Sequence, residues 1–283
     1  MTNGAPKTTA VFSIIIVNYN SGELVRKCVE SIFKCIDRGF EIIVYDNAST
    51  DGSVTALDPI MTGNPELRVI RGTENLGFAK ANNLAVQDAS GLYYHFLNPD
   101  MIVNPSLNAA YRDIMQYREE SIFVTNLKDT AGLIRKNRHL VPRIGNICRK
   151  IAGSTDVAYW NLGASLIIHR NAFMNLGGWP EDYFMYAEDL DLFYSAYRKK
   201  IPVRYLETSL LHIGKGITSN IWSNEQRAVF IEESFLKFYR KYNAEWEYYL
   251  VRPIQLIYLL FNEPGQFPLY SRVFLKSILG FHP

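Results

Sequence analysis

The chain has few cysteines, and none of them lies in a metal-binding pattern. Cys28, Cys35 and Cys148 are its three cysteines. They form neither a CxxC pair nor a cluster with histidine, so neither a zinc site nor a disulfide framework is indicated. Free thiols of this kind are typical of a reducing compartment.

Targeting and membrane-spanning signals are also lacking. The amino terminus has no apolar core of the kind found in signal peptides. The longest apolar run near the carboxyl end, residues 254–261, is far shorter than the roughly 20 residues of a membrane-spanning helix. We therefore expect a cytoplasmic protein, which can still contact the inner face of the cytoplasmic membrane.

Charge is small overall but unevenly distributed. The net charge of +2 argues neither for nor against nucleic acid as a partner. Residues 128–150, however, contain seven Lys and Arg against one acid, Asp129. This excess predicts a surface that faces phosphate or an anionic membrane, and a solvated loop is the alternative.

What the sequence does contain is a regular order of apolar strands and helices. With 48% hydrophobic residues it can bury a sizeable core. The pattern predicts strands at 11–20, 41–46, 67–72 and 93–99, with helices after the first and third strands. This order predicts an α/β fold with a mostly parallel central sheet and helices on both faces. In such sheets, ligands bind beyond the carboxyl ends of the strands.

The residue pattern in the second half of the chain predicts fewer strands and more helix. A strand and a short helix fit residues 160–179, with Gly177 and Gly178 ending the helix. A helix fits 187–200 because its first turn is acidic and its last turn basic. A late strand fits 203–213 and a helix fits 224–242. Beyond Pro253 the pattern predicts only short apolar pieces interrupted by further prolines.

Two acidic groups follow predicted strands in the first half. Asp46, with Asn47 beside it, follows the second strand and has the chemistry to accept the imide N–H of a uracil or thymine ring; an Asx turn is the alternative. Asn98-Pro99-Asp100 lies at the end of the fourth strand. Its carboxylate is a suitable ligand for Mg²⁺ or Mn²⁺, and a plain turn is the alternative.

Two further groups lie in the second half. Glu188 and Asp189 begin a predicted helix next to several aromatic residues, whose desolvation would raise a carboxyl pKa and suit a general base. Ordinary helix capping is the alternative. His212 and Lys215 lie in "HIGKG", where they are suited to a metal or a phosphate, and a satisfied strand-end histidine is the alternative.

These groups resemble a known family when they are taken together in order. The series "SIIIVNYNS", "VYDNASTDGS", "ENLGFAKANN", "FLNPD", "GASLIIHRNAF…LGGWPEDYFMYAEDLDL" and "LLHIGKG" closely resembles the family 2 glycosyltransferases of GT-A fold. It is most similar to the rhamnosyltransferase-type members that build cell-surface glycans. The resemblance covers about residues 12–220, and the helical tail resembles that group less specifically.

The resemblance implies roles position by position. Asp189 matches the catalytic base, while Asp100 and His212 match residues that hold the divalent cation. Asn98 departs from the family's Asp-x-Asp, because an amide replaces the first carboxylate and weakens the expected metal affinity. The implied donor-binding residues are Asn18, Tyr19, Asn20, Asp46, Asn47, Asn75, Gly77, Asn98 and Lys215, with Asn82 and Asn83 in support. The expected acceptor-binding residues are Trp160, Trp179, Tyr186 and Glu188.

The function implied is that of an inverting glycosyltransferase with a nucleotide-sugar donor, dTDP- or UDP-linked, and Mg²⁺ or Mn²⁺. The expected donor is dTDP-L-rhamnose, and the acceptor a cell-surface glycan or a polyprenyl-diphosphate-linked sugar, with no nucleic acid as partner. The alternatives are transfer from UDP-galactofuranose or a UDP-hexose, or a non-catalytic sugar-nucleotide-binding subunit of a glycan assembly complex. The expected domains are a GT-A domain at 10–220, divided near 105 into nucleotide and acceptor halves, and a helical, membrane-proximal extension at 221–283.

Overall fold

A mixed β-sheet lies at the centre of the structure, a computed structural model that describes residues 10–117, 119–135, 137–214 and 221–279. The strands are β1 (Phe12–Asn18), β2 (Phe40–Asp46), β3 (Leu67–Arg71), β4 (Tyr93–Leu97), β5 (Met101–Ile102), β6 (Ile122–Lys128), β7 (Ile134–Arg135), β8 (His139–Leu140), β9 (Tyr159–Trp160), β10 (Ser165–His169) and β11 (Val203–His212). The helices are α1 (Glu23–Cys35), α2 (Asp58–Gly63), α3 (Gly77–Gln87), α4 (Ser106–Ile114), α5 (Ile144–Ile151), α6 (Arg170–Leu176), α7 (Glu188–Arg198), α8 (Asn224–Lys241), α9 (Glu245–Asn262) and α10 (Phe267–Ile278).

The strand order brings the predicted chemical groups to one edge of the sheet. Within the described residues the order is β3-β2-β1-β4-β10-β6-β11-β5, with β7 paired to β6. Strands β1 to β4 run parallel to one another, as predicted. Strand β10 is antiparallel to β4 and β6, so the sheet is mixed in its second half. The amino end of β10 therefore lies beside the carboxyl end of β4, where Ser165 is opposite Leu97.

Both faces of the sheet are covered, which explains why β1 and β2 are buried along most of their length. Alternate residues enter different cores: Ile14 and Ile16 pack on one face with α1, whereas Ile15 packs on the other face with α3. Continuous apolar runs are thus required by two-sided burial rather than by membrane insertion.

The carboxyl-terminal helices share a core with the rest of the chain. One hydrophobic cluster combines Tyr183 and Leu190, from before and within α7, with Phe238 of α8, Tyr248 of α9 and Phe274 of α10. A buried ion pair adds a polar contact, since Arg143 Nε lies 3.0 Å from Glu247 Oε2 at the start of α9. The carboxyl-terminal helices are therefore packed onto residues 141–190 through both apolar and charged contacts.

The predicted break at Pro264 and Gly265 is present between α9 and α10, but the piece before it is not short, because α9 continues through Pro253 to Asn262. Proline removes one N–H and leaves the carbonyl four residues earlier without its usual partner. That carbonyl belongs to Tyr249, a partly exposed residue. Among the residues that the structure describes, no helix combines the length and hydropathy that crossing a bilayer requires.

Candidate active site

A cavity of about 240 Å³ opens at the carboxyl edge of β1, β2 and β4. It combines residues from the strand ends, the start of α3, the loop before α7, the end of β11 and the chain before α8. The lining residues are Val17, Tyr19, Asn47, Asn75, Gly77, Phe78, Asn98, Pro99, Asp100, Met185, His212, Gly214, Ile221 and Trp222. Many of the residues predicted to bind donor or metal are therefore brought together.

Asn18 lies behind this cavity, not in it. Val17 and Tyr19 line the cavity, and Asn18 between them points into the protein because side chains alternate along a strand. Its amide donates to Asp46 Oδ1 at 2.9 Å and to the hydroxyls of Ser49 and Ser53. The expectation that Asn18 contacts the donor is corrected: it is fully buried and holds the turn after β2.

The carboxylate of Asp46 is also largely occupied by the protein. Besides the Asn18 amide, its Oδ2 accepts the backbone N–H of Ser49 at 3.1 Å. Asn20 continues the same network, since its Oδ1 accepts the N–H of Thr50. The side chains of Asp46 and Asn20 are not part of the cavity lining. Contact between Asp46 and a nucleotide base therefore remains a prediction.

The turn before α3 is held tightly against two other loops. Asn47 donates to the Gly77 carbonyl at 3.0 Å and accepts the Leu76 N–H at 3.0 Å. Gly77 has φ +80°, and a Cβ there would lie 2.2 Å from the Phe184 carbonyl oxygen. Only glycine suits this position. The cavity wall formed by α3 is thus packed directly on the loop that leads to α7.

Asn82 and Asn83 support this wall as expected from their position on α3. Asn82 is buried and donates to the Phe78 carbonyl at 2.9 Å. Asn83 bonds both the carbonyl and the N–H of Trp179, and its amide also reaches Glu181. These bonds fix the loop 179–181 relative to α3.

Asp100 and His212 form the most suggestive pair in the cavity. His212 Nε2 lies 3.2 Å from Asp100 Oδ2, and the Asp100 carbonyl accepts the Ile213 N–H at 3.0 Å. Asp100 is only 7% exposed, and its Oδ1 is buried with no hydrogen-bond partner. An unpaired buried carboxylate oxygen is costly unless a ligand satisfies it.

This pair fits a divalent cation that takes its other ligands from the donor. One carboxylate oxygen and one imidazole nitrogen are acceptable ligands for Mn²⁺ or Mg²⁺. Within the described ranges no group of three His, Cys, Asp or Glu residues is placed to hold a metal. This agrees with the replacement of a carboxylate by Asn98, whose side chain still lines the cavity. Lys215 lies outside the described residues.

Asp189 lies at the same sheet edge, one strand away from Asp100. Its Oδ2 accepts the Gly163 N–H at 3.3 Å, and its Oδ1 accepts the Leu190 N–H at 2.8 Å. Ala164, the residue after Gly163, accepts the backbone N–H of Asn98 at 2.9 Å. A short chain of direct contacts thus connects Asp189 to the Asn98-Pro99-Asp100 turn.

The electrostatics of Glu188 and Asp189 differ from those of ordinary exposed acids. Burial raises the pKa of Asp189 to about 6. Hydrogen bonds from the N–H groups of Leu190 and Gly163 act in the opposite direction and lower it. Burial, and then the negative charge of Asp189, raises the pKa of Glu188 further. Glu188 Oε2 has no hydrogen-bond partner. The pair therefore favours one charge, carried by Asp189, and a protonated Glu188 near neutral pH.

Asp191 has a different environment from Asp189, because residues two apart on a helix lie on different sides of it. It is fully buried and accepts from Tyr183 Oη at 3.1 Å, from Lys241 Nζ at 2.6 Å and from Tyr242 Oη. Because Lys241 and Tyr242 are at the end of α8, Asp191 connects the carboxyl-terminal helices to α7.

The aromatic residues expected to bind acceptor differ in their exposure to solvent. Trp160 is half-buried in β9 with its ring centroid 4.9 Å from that of His139, and Tyr186 is half-buried with a φ of 68°. Trp179 is 1% exposed and packs edge-on against Phe78 and Phe96. The expectation that Trp179 contacts acceptor is therefore wrong, because its indole is part of the core.

Sequence reasoning missed an aromatic rim around the cavity. Trp222 lines it, and its ring centroid lies 6.1 Å from Tyr19 and 6.2 Å from Phe184. Phe78 and Met185 also line it. The motif "ENLGFAKANN" contains Phe78, but Trp222 belongs to no recognisable motif and is brought here only by the packing of the chain before α8.

Comparison with known proteins points in the same direction as the geometry. The family model described as "Glycosyl transferase family 2" matches residues 13–174, more than half of the chain. Glycosyltransferase GlyG of Streptococcus pneumoniae is 28% identical over 41% of this chain and 38% of its own length. N-acetylglucosaminyl-diphospho-decaprenol L-rhamnosyltransferase of Mycobacterium tuberculosis is 25% identical over 65% of this chain and 69% of its own length.

Solved structures share the fold at lower identity. A mannosyltransferase from Pyrobaculum calidifontis, in complex with GDP-Man and Mn²⁺, is 18% identical with a TM-score of 0.59 over 97% of this chain and 76% of its own. Staphylococcus aureus TarS 1–349, in complex with UDP-GlcNAc, is 17% identical with a TM-score of 0.58 over 93% and 79%. The predicted GT-A fold is confirmed, and the chain belongs to glycosyl transferase family 2.

Proposed function

We propose that this protein is an inverting glycosyltransferase that uses a nucleotide-sugar donor and a divalent cation. The observation that carries the proposal is the unpaired, buried Oδ1 of Asp100 beside His212, at the same sheet edge as Asp189. A cation ligand and a carboxylate of raised pKa are the two groups that metal-assisted transfer of a sugar requires.

The donor would occupy the 240 Å³ cavity. Tyr19 and Trp222 offer ring faces to a nucleotide base, and Asn75 offers a polar group beside them, whereas the amide of Asn47 bonds the turn before α3. Asp100 and His212 would hold the cation, with Asn98 beside them. A bound Mg²⁺ or Mn²⁺ neutralises the charge that develops on the departing nucleoside diphosphate.

Asp189 would act as the general base. Its raised pKa makes the carboxylate a better proton acceptor than an ordinary aspartate, while leaving it ionised at neutral pH. It takes the proton of an acceptor hydroxyl, and that oxygen forms a bond to the anomeric carbon. The bond from this carbon to the diphosphate oxygen breaks on the opposite face, so a single displacement inverts the configuration.

The proposed donor is dTDP-L-rhamnose, and the proposed acceptor is a sugar on a cell-surface glycan or on a polyprenyl diphosphate. Support comes from the motif resemblance and from the mycobacterial relative, whose name specifies rhamnosyl transfer to a decaprenol-linked sugar. UDP-hexoses and UDP-galactofuranose remain alternatives, and UDP-GlcNAc occupies one of the structural neighbours.

A panel of nucleotide sugars tests the donor assignment. A ligand that binds the folded state raises the melting temperature, so the true donor should give the largest shift in the presence of Mn²⁺. The same panel is then assayed for release of nucleoside diphosphate by slow hydrolysis. Largest stabilisation by a UDP-sugar would reject dTDP-rhamnose. Stabilisation without any release would favour the non-catalytic binding subunit.

We also propose that α9 contacts an anionic membrane. The strongly exposed side chains from Trp246 to Phe261 are all apolar, namely Trp246, Tyr249, Leu250, Ile254, Ile257, Tyr258, Leu260 and Phe261. An apolar face of this size with Trp and Tyr is typical of helices that lie in a membrane interface. Residues 128–150, which are rich in Lys and Arg, contact α9 at one point, where Ile144 at the start of α5 donates its N–H to Glu247.

A further inference from the structure

A second pocket, separate from the donor cavity, lies on the basic part of the chain. It has a volume of about 620 Å³ and shares no lining residue with the donor cavity. Its cations are Arg135, Arg138 and Lys150. The other lining residues are Asn126, Ile134, Asn137, Leu140 and Tyr159. We refer to this site as the basic pocket.

Two of the three cations are not neutralised by the protein. Arg135 lies 3.3 Å from Asp129, but within the described ranges Arg138 and Lys150 form no ion pair, and no lining residue of the pocket is acidic. The guanidinium of Arg138 lies 3.8 Å from the ring centroid of Tyr159, and Lys150 Nζ lies 5.9 Å from the same centroid. Stacking on Tyr159 restrains Arg138 and leaves its N–H groups free to bind an anion.

An unsatisfied donor lies at the wall of the same pocket. Asn137 Oδ1 accepts the N–H of Leu162 at 2.8 Å, which assigns the other amide atom as nitrogen. This Nδ2 is buried and has no hydrogen-bond partner. A buried donor without a protein partner is rare in native structures and needs an acceptor, which a bound anion or an ordered water can supply. Its position beside three cations favours the oxygen of a phosphate.

The basic pocket is connected to the general base by a short piece of chain. Tyr159 lines the pocket, and Gly163, four residues later, donates its N–H to Asp189. Four residues span at most about 14 Å. The strand β9 that begins this connection is paired with β8, where Leu140 is opposite Tyr159. The sugar part of an acceptor can bridge such a distance, with its hydroxyl at Asp189 and an anionic group in the pocket.

We infer that the basic pocket binds the phosphate or diphosphate of a phosphate-linked acceptor while Asp189 deprotonates its sugar hydroxyl. This inference rests on the proposed function and adds the site that recognises the acceptor's anionic group. Arg138 and Lys150 supply charge, Asn137 supplies a neutral donor, and Tyr159 orients Arg138. The diphosphate of the donor would bind in the separate donor cavity of about 240 Å³.

The test compares two double variants that remove the same charge. Arg138→Gln with Lys150→Gln changes the pocket, whereas Arg38→Gln with Arg112→Gln changes exposed residues outside its lining. Inorganic pyrophosphate is titrated without divalent cation, because the donor cavity is proposed to hold a diphosphate only through its cation. The pocket variant should bind pyrophosphate at least about tenfold more weakly than wild type, and the control should bind within about twofold. Equal affinity in both variants would overturn the inference.

Two further measurements separate this inference from its rivals. Hydrolysis of the donor should be unchanged in the pocket variant, because it needs no acceptor; if wild type hydrolyses no donor, the proposed function fails instead. Binding to phosphatidylcholine vesicles with and without phosphatidylglycerol tests whether the pocket takes lipid headgroups. Loss of phosphatidylglycerol-dependent binding with unchanged pyrophosphate affinity would overturn the acceptor assignment in favour of a headgroup site.

Discussion

Replacing Asp189 with asparagine is the sharpest test of the mechanism, because the structure predicts different effects on rate, binding and stability. The change keeps the shape of the side chain and removes the proton acceptor. A positioned general base contributes roughly 10²–10⁴ in rate, so sugar transfer should fall by about that factor. Donor affinity should change little, since the side chain of Asp189 does not line the donor cavity.

The stability cost of the same variant follows from its two backbone hydrogen bonds. Asparagine has one acceptor oxygen, which can replace the 2.8 Å bond to Leu190 but not also the 3.3 Å bond to Gly163. Losing the longer bond should cost about 1 kcal/mol, or roughly 2–4 °C in melting temperature. A large rate loss with a small stability loss would therefore identify a chemical role.

The pH dependence gives an independent check. Because the pKa of Asp189 is raised to about 6, the base is protonated below that pH and ionised above it. Wild-type transfer should thus rise about tenfold per pH unit up to pH about 6 and then level off. Asp113→Asn, an exposed carboxylate on α4, is the matched control and should retain the wild-type profile. Turnover of Asp189→Asn within about threefold of wild type would refute the base assignment.

Three other variants test the cation site, the cavity wall and the membrane face. Asp100→Ala removes the unpaired Oδ1, so Mn²⁺-dependent binding of nucleoside diphosphate should weaken by at least about tenfold. Titrations of both proteins with and without EDTA check this. Identical curves for the variant and the wild type would contradict the cation site. Gly77→Ala places a Cβ 2.2 Å from the Phe184 carbonyl oxygen at φ +80°. The free energy of unfolding in urea should fall by about 2–5 kcal/mol, and donor binding should weaken. Unchanged stability would argue against the close approach. Trp246→Ser with Ile254→Ser should reduce co-sedimentation with phosphatidylglycerol vesicles while leaving donor hydrolysis intact, and undiminished sedimentation would reject membrane contact through α9.

Prediction from sequence succeeded where the signal is local. Two-sided burial produces continuous apolar strands, and β1, β2 and β4 end within a residue or two of the predicted positions. Gly177 was expected to end a helix, and it caps α6 in the left-handed conformation. The helix of residues 187–200 was expected from its charge pattern and is present as α7. Backbone preference and hydrophobic periodicity suffice for such features.

Prediction failed where burial depends on distant parts of the chain. Trp179 was expected at the acceptor, yet Phe78 and Phe96, far away in sequence, enclose its ring. Short apolar pieces were expected after Pro253, yet packing of α9 on α8 and α10 accompanies one helix that continues through that proline. Neither contact has a trace in the local sequence, because an aromatic residue or a proline is compatible with several environments.

The sequence by itself determined the family, the order of strands and helices, and which carboxylates follow strand ends. These properties depend on residue type and spacing, which the chain carries directly. The tertiary structure alone decided that Asn18 points inward, that Asp100 keeps an oxygen without a partner, and that Asp189 is desolvated enough to raise its pKa. Burial and hydrogen-bond satisfaction are properties of the surroundings of a group. For these residues the surroundings come from distant segments, and Asn98 and His212 at the cavity are more than a hundred residues apart in the chain.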